Sequence, residues 1–211
     1  MEDALRAGAD EPGLNLIETM YWNGAACPLV DWHWQRLSSS AAALGWRCDK
    51  AAFDDAITGP DLPARFRLTL DRNGVMALTY AELPPSPAIW KVAFATERFD
   101  SADPWLKHKT TRRGIFDRAR AGMAPGIDEL LFLNERGEVC EGTITTVFFD
   151  SDDGLATPPI ESGLLRGVLR TKLLAEGWCH EVILRPDQLS STRLYVGNAL
   201  RGLMSAEFVG P

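Results

Sequence analysis

A chain of 211 residues with 45% apolar and 24% charged side chains can bury a sizeable core, which excludes disorder as its resting state. Its formal net charge of −7 argues against a surface made to neutralise a nucleic-acid backbone or an anionic membrane, and directs attention to small-molecule partners. No apolar run approaches the roughly 18 residues of a membrane-crossing helix. The start MEDALRAGADEPG has acids and a proline where a signal peptide needs an apolar stretch, so a cytoplasmic location is expected.

The length suits two small domains better than one large one. Cys27, Cys48, Cys140 and Cys179 lie far apart without a Cys-x-x-Cys pair, and His33, His108 and His180 are equally dispersed, so no structural metal is expected.

After a polar start where disorder is expected, LNLIETMYWNG reads as an apolar strand closing at Asn23-Gly24. WHWQRLSSSAAALG follows as a helix, with Asp31 as its N-cap, Leu37, Ala41 and Leu44 on one face, and Gly45 as its C-terminal cap. Residues Arg65 to Leu70 and Val75 to Glu82 flank an Asn-Gly turn and predict an antiparallel pair. The proline-rich ELPPSPA then breaks the chain, WKVAFAT reads as a strand, and RFDSADPW reads as a connector. A domain boundary is expected there, dividing the chain into residues 1–102 and 103–211.

Beyond it, LKHKTTRRGIFDRARAG predicts a strand end running into a helix. DELLFLNERGEVCEGTITTVFFD predicts a strand, a turn at Glu135 to Gly137, and a second strand. ATPPIESGLLRGVLRTKLLAEGW gives a strand end, a glycine-bounded turn and a helix, and two further strand-rich segments close the chain. Three features could carry chemistry by residue type alone. Lys109 is one cation in the basic run Lys107 to Arg113, Glu141 ends a strand, and Gly163 to Val168 form a glycine-rich entry to a helix whose first amides and dipole attract an anion. Taken singly, Lys109 and Glu141 could as well be solvated surface charges, and Arg36 a helix surface residue.

Four segments in order shift the reading toward the chemical role: HWQRLSSSAAALG, HKTTRRGIFD, DELLFLNERGEVCEGTITTVFF, and TPPIESGLLRGVLR with the later GNALRG. Together they span about Leu16 to Val209, and their order and spacing resemble the class IV aminotransferase family. The resemblance implies a two-domain α+β fold of the D-amino acid aminotransferase-like type, with a small N-terminal α+β domain and a C-terminal pseudo-barrel domain. It also implies pyridoxal 5'-phosphate as cofactor. By the same resemblance Lys109, rather than Lys107, holds the cofactor, and Glu141 pairs with the pyridine nitrogen and keeps the ring an electron sink. Arg36 then reaches the phosphate, with Gly167 and Val168 at the helix entry and the main chain of Asn198 and Ala199 completing the cup.

The resemblance is closest to the family's lyases, which convert 4-amino-4-deoxychorismate to 4-aminobenzoate and pyruvate in folate precursor synthesis. The alternatives are an aminotransferase of branched-chain or D-amino acids and a degenerate relative without catalysis. The lyase substrate carries two carboxylates, for which Arg67 and Arg201 are the candidate partners, although Arg67 could equally be a cross-strand surface residue. His33 and His108 are expected to be supporting rather than catalytic residues. The family pattern often has Asn where Thr146 stands and a hydroxyl residue where Ala199 stands, and the short start before Glu18-Thr19 matches a compact, fused-type lyase domain. A homodimer acting on a small-molecule amine is the implied assembly, with no nucleic acid or membrane as partner.

Overall fold

A computed structural model describes residues 2–210, with side chains described from Leu5 onward. The chain forms two compact units. The first holds the residues up to Pro85 together with His108–Arg112, and the second holds Ser86–Lys107 and the chain from Arg113 onward.

In the first unit, helix α1 (Glu2–Gly8) precedes strand β1 (Leu16–Asn23), helix α2 (Val30–Leu44), helix α3 (Lys50–Ala56) and the hairpin of β2 (Pro63–Leu70) and β3 (Met76–Ala81). The three strands form an antiparallel sheet in the order β1-β2-β3. Strict alternation in β2 buries Ala64, Phe66, Leu68 and Leu70 while Arg65 and Arg67 stay exposed, as a strand with one covered face requires. The expected hairpin forms. Gly74 adopts φ +89°, and the Asp71 carboxylate accepts from the amides of Asn73 and Val75.

Helix α2 buries Leu37, Ala41 and Leu44 as its spacing demands, and Gly45 ends it in the left-handed region, donating back to the Ala41 and Ala42 carbonyls. Its start differs from expectation. Leu29 is the N-cap residue and makes no side-chain cap, so Asp31 instead lies in the first turn, where its charge meets the helix dipole. Helix α1 forms in the start where disorder was expected, and α3 forms in a stretch for which no element was expected. Asp49 caps α3 by accepting from the Ala52 amide, and Phe53 is its buried anchor.

In the second unit, strand β4 (Trp90–Phe99) leads to helix α4 (Gly114–Ala121), then to β5 (Glu129–Asn134), β6 (Val139–Gly142), β7 (Thr146–Ser151) and β8 (Gly154–Thr157). Helix α5 (Val168–Ala175), the short β9 (His180–Glu181), β10 (Leu194–Asn198) and β11 (Gly202–Phe208) complete it. The sheet order is β10-β11-β4-β5-β6-β7-β8-β9, and a further pairing of β10 with β7 closes six of these strands into a ring. This is the expected pseudo-barrel. Residue period sorts its apolar side chains: Leu131, Leu133, Val139 and Val147 join one cluster, and Phe132 and Cys140 join the other.

Three expectations are corrected. The boundary falls at Pro85/Ser86 instead of residue 102, because β4 pairs in parallel with both β5 and β11 and its hydrogen bonds belong to the barrel. The sequence EVCEGTITTVFFD is a hairpin instead of one strand, with β6 and β7 antiparallel about residues 143–145. The strand end expected before α4 is a short strap on β1: Ile17 donates to the Lys109 carbonyl at 2.8 Å, Thr111 donates to the Asn15 carbonyl at 2.8 Å, and Thr110 bridges Leu16.

Candidate active site

The residues singled out from sequence fall into two clusters, one in each unit. In the first unit, Glu18 on β1 turns its carboxylate into the interior, where it is 1% exposed. One oxygen accepts from Arg36 Nε at 2.9 Å, and the other accepts from Arg36 Nη2 and from His33 Nδ1, each at 2.5 Å. His33 and Arg36 lie three residues apart on α2 and so share one face. The strap bonds hold Lys109 beside Ile17, the residue before Glu18.

Burial pushes the Glu18 carboxyl upward, but the charges and hydrogen bonds of Arg36 and His33 outweigh it and hold the group at about 2. For His33, burial wins over the pull of Glu18, and Arg36 and Lys109 add to it, so its imidazole sits below the usual range. A neutral ring protonated at Nδ1 still donates to Glu18. Arg36 is therefore no surface helix charge. Arg67 does not join this cluster: it lies on the rung of Thr19 and Thr79, on the exposed side of β2.

In the second unit, one rung runs across three strands, with Glu141 of β6 opposite Thr146 of β7 and Thr146 opposite Gly197 of β10. Glu141 and Thr146 are each 5% exposed. Gly167, the N-cap of α5, approaches this rung so closely that a Cβ there would come within 2.7 Å of Thr146 Oγ1. The same closeness holds at Gly197, where a Cβ would meet Leu169 of α5 at 2.9 Å and the Gly202 carbonyl at 3.0 Å. Helix α5 is held by Arg170, 3% exposed, which donates to the Pro158 carbonyl at 2.9 Å and pairs with Glu181.

Asn198 shapes its own turn, accepting from the amides of Leu200 and Arg201 and donating to the Ile144 carbonyl. Ala199 sits half-buried at the tip of that turn. Arg201 lies over the Trp90 ring, 5.4 Å from its centroid. Glu141, Thr146, Gly167, Val168 and the Asn198 turn are thus brought together.

Sequence reasoning missed Glu129, which organises this region. Its carboxylate is fully buried and accepts from the Thr143 amide (3.0 Å), the Thr143 hydroxyl (2.5 Å), the Ile144 amide (3.1 Å) and the Thr145 hydroxyl (2.9 Å). From α4, Arg120 donates to the Thr143 hydroxyl, and Arg113 at the α4 N-cap donates to the Thr143 carbonyl, each at 2.7 Å. Gly142 permits the knot, since a Cβ there would fall 2.4 Å from Thr145 Oγ1 and 2.8 Å from Glu129 Cδ. The signal was an acid opening a strand whose next four residues are apolar, 14 residues before the turn it binds.

The donor set matches a phosphorylated aromatic cofactor. The first-turn amides of α5 have no acceptor within the helix, a glycine leaves the space beside them open to the Thr146 hydroxyl, and a buried acid stands on the same rung. Comparison with known proteins gives this arrangement its family. Residues 15–207 match the amino-transferase class IV family. The chain is a class IV aminotransferase family member.

Family members of this class are pyridoxal 5'-phosphate enzymes, acting as aminotransferases or lyases. A Schizosaccharomyces pombe relative provisionally named as an aminodeoxychorismate lyase is 30% identical over 182 residues, 79% of this chain and 76% of that one. A crystal structure of a Mesorhizobium loti protein, provisionally titled an amino-acid aminotransferase, is 44% identical with a TM-score of 0.86, covering 93% of this chain and 100% of that one. The crystal structure of 4-amino-4-deoxychorismate lyase from Pseudomonas aeruginosa shares the fold, with a TM-score of 0.80 at 18% identity over 92% of this chain and 82% of that one.

Among the described residues, no helix is long and apolar enough to cross a membrane, and no group of three or more His, Cys, Asp or Glu side chains is arranged to hold a metal.

Proposed function

We propose that this class IV family member is a lyase that converts 4-amino-4-deoxychorismate to 4-aminobenzoate and pyruvate, a step toward folate. The observation that supports this reading most directly is the 30% identity, across 79% of the chain, to a protein provisionally named for that activity. The cofactor, when bound, supplies the electron sink.

In this reading Lys109 holds the cofactor and, as a free amine, takes the proton from the amine-bearing ring carbon of the substrate. The bond from the ring to the enolpyruvyl oxygen breaks, the ring becomes aromatic, and a proton returns to the enolpyruvyl methylene carbon to give pyruvate. Glu141 keeps a proton at the pyridine nitrogen. The Val168 amide, the Thr146 hydroxyl and the main chain at Asn198 and Ala199 are the groups of the second unit that we assign to phosphate, and Arg36 is the group of the first. Arg67 and Arg201 are the residues we assign to the two substrate carboxylates, and the working assembly is a homodimer.

The test is incubation of purified holoprotein with aminodeoxychorismate, following 4-aminobenzoate by fluorescence and pyruvate by a coupled assay. Equal amounts of both products are expected. A second reading, an amino-acid aminotransferase, is supported by the 44% identical Mesorhizobium loti structure. Amine transfer between amino acids and 2-oxo acids, with no 4-aminobenzoate formed, selects it over the lyase.

A further inference from the structure

We infer that Glu18 and His33 are positioning residues that aim the Arg36 guanidinium at an anion, and so set the preference for the phosphorylated cofactor over its dephosphorylated form. The inference rests on the proposed contact of Arg36 with phosphate. It adds two residues to that contact and a reason for their burial.

A guanidinium is a rigid plane with five N–H donors. Glu18 takes one edge of it, Nε at 2.9 Å and Nη2 at 2.5 Å, which fixes both the tilt of the plane and the rotation of the side chain. Among the described residues Nη1 makes no hydrogen bond, and the Arg36 side chain keeps 11% exposure. The edge away from Glu18 is therefore the donor edge that remains. His33, 1% exposed, binds the same carboxylate oxygen as Nη2 and so fixes the acid that fixes the arginine. Glu18 itself cannot swing, because the amide of the preceding Ile17 is bonded to the Lys109 carbonyl and β1 is paired along its length with β2.

A buried ion pair is seldom a better source of stability than apolar packing, so its value is sought in the geometry that it imposes. An arginine ordered in advance binds an anion without losing side-chain freedom at the moment of binding. That gain reaches only a ligand that carries the anion.

The experiment compares binding of pyridoxal 5'-phosphate and of pyridoxal to the full-length apoprotein, read from the long-wavelength absorbance of the lysine-bound ligand. The proteins are wild type, Arg36→Ala, Glu18→Gln, His33→Leu and the double variant Glu18→Gln/Arg36→Ala. Loss of one charge-assisted contact predicts that Arg36→Ala and Glu18→Gln each weaken the phosphorylated ligand by about tenfold or more and pyridoxal by less than about twofold. The double variant should bind no more weakly than Arg36→Ala, because Glu18 acts through Arg36.

Equal losses for both ligands in Glu18→Gln, no loss for either, or additive losses in the double variant overturn the inference. If Arg36→Ala itself leaves the ratio of the two affinities unchanged, the phosphate assignment of Arg36 falls, and the inference with it. Circular dichroism reports folding, and should Glu18→Gln fail to fold, His33→Leu carries the same comparison under the same criteria.

Discussion

At the scale of single residues, the proposed chemistry rests on Lys109 and Glu141, and the buried ion pair on Glu18. Replacing Lys109 by Ala should abolish both turnover and the long-wavelength absorbance that added pyridoxal phosphate induces, a spectrophotometric check on the cofactor role. Glu141→Ala should keep the absorbance but lower kcat by about a hundredfold or more, the usual cost of removing a charge partner from a buried reacting group. For Glu18 the sign follows from its low value. A carboxyl held at about 2 in the fold and near 4.5 when released lends stability that is complete above its unfolded value and is lost as pH falls toward 2. Urea unfolding of the wild type between about pH 5 and pH 3 should therefore show a loss of stability that Glu18→Gln reduces. Motifs in the sequence single out Lys109 and Glu141 as candidates. The partners of Arg36 were not legible there, because an acid 18 residues earlier on a strand meets a helix face only once both have packed.

At the scale of elements, the hairpin of β6 and β7 shows where periodicity stops being informative. The run from Val139 to Phe149 is buried nearly throughout, so it offers no alternation that would separate one strand from two. The turn is made by a distant carboxylate, Glu129, that accepts from two amides and two hydroxyls of the turn at once. Removing such an acceptor leaves several buried donors without partners, and Glu129→Ala should cost about 3–5 kcal/mol, measurable as a lowered midpoint in denaturant. Gly167→Ala tests the neighbouring approach of α5 to β7: with Thr146 Oγ1 2.7 Å from the added methyl, the helix must shift, and cofactor affinity should fall while the fold survives. By contrast the β2–β3 hairpin was legible in full, since alternation and an Asn-Gly turn both act locally.

At the scale of the whole molecule, the two-unit organisation and the barrel were implied by the order of four motifs, but the division at Pro85 was not. Strand β4 follows a proline-rich break and has no local mark of its allegiance, and its parallel partners in the register come 37 residues later for Val92 with Glu129 and 116 residues later for Trp90 with Ala206. Light scattering coupled to gel filtration should give twice the monomer mass if the proposed homodimer forms.

The strap of residues 108–112 has a consequence for solubility. Strand β1 pairs with β2 along one edge, and the other edge would present the amides of its buried start to any passing chain. The carbonyl of Lys109 and the amide of Thr111 occupy that edge. The segment that carries Lys109 therefore also protects the sheet against aggregation, with the main chain of Lys109 and Thr111 and with the Thr111 hydroxyl, which accepts from the Asn15 amide. Evolution can accordingly alter or discard the lysine side chain without uncovering the edge, whereas a proline at Thr111, which removes the donor to Asn15, is expected to leave the protein prone to self-association.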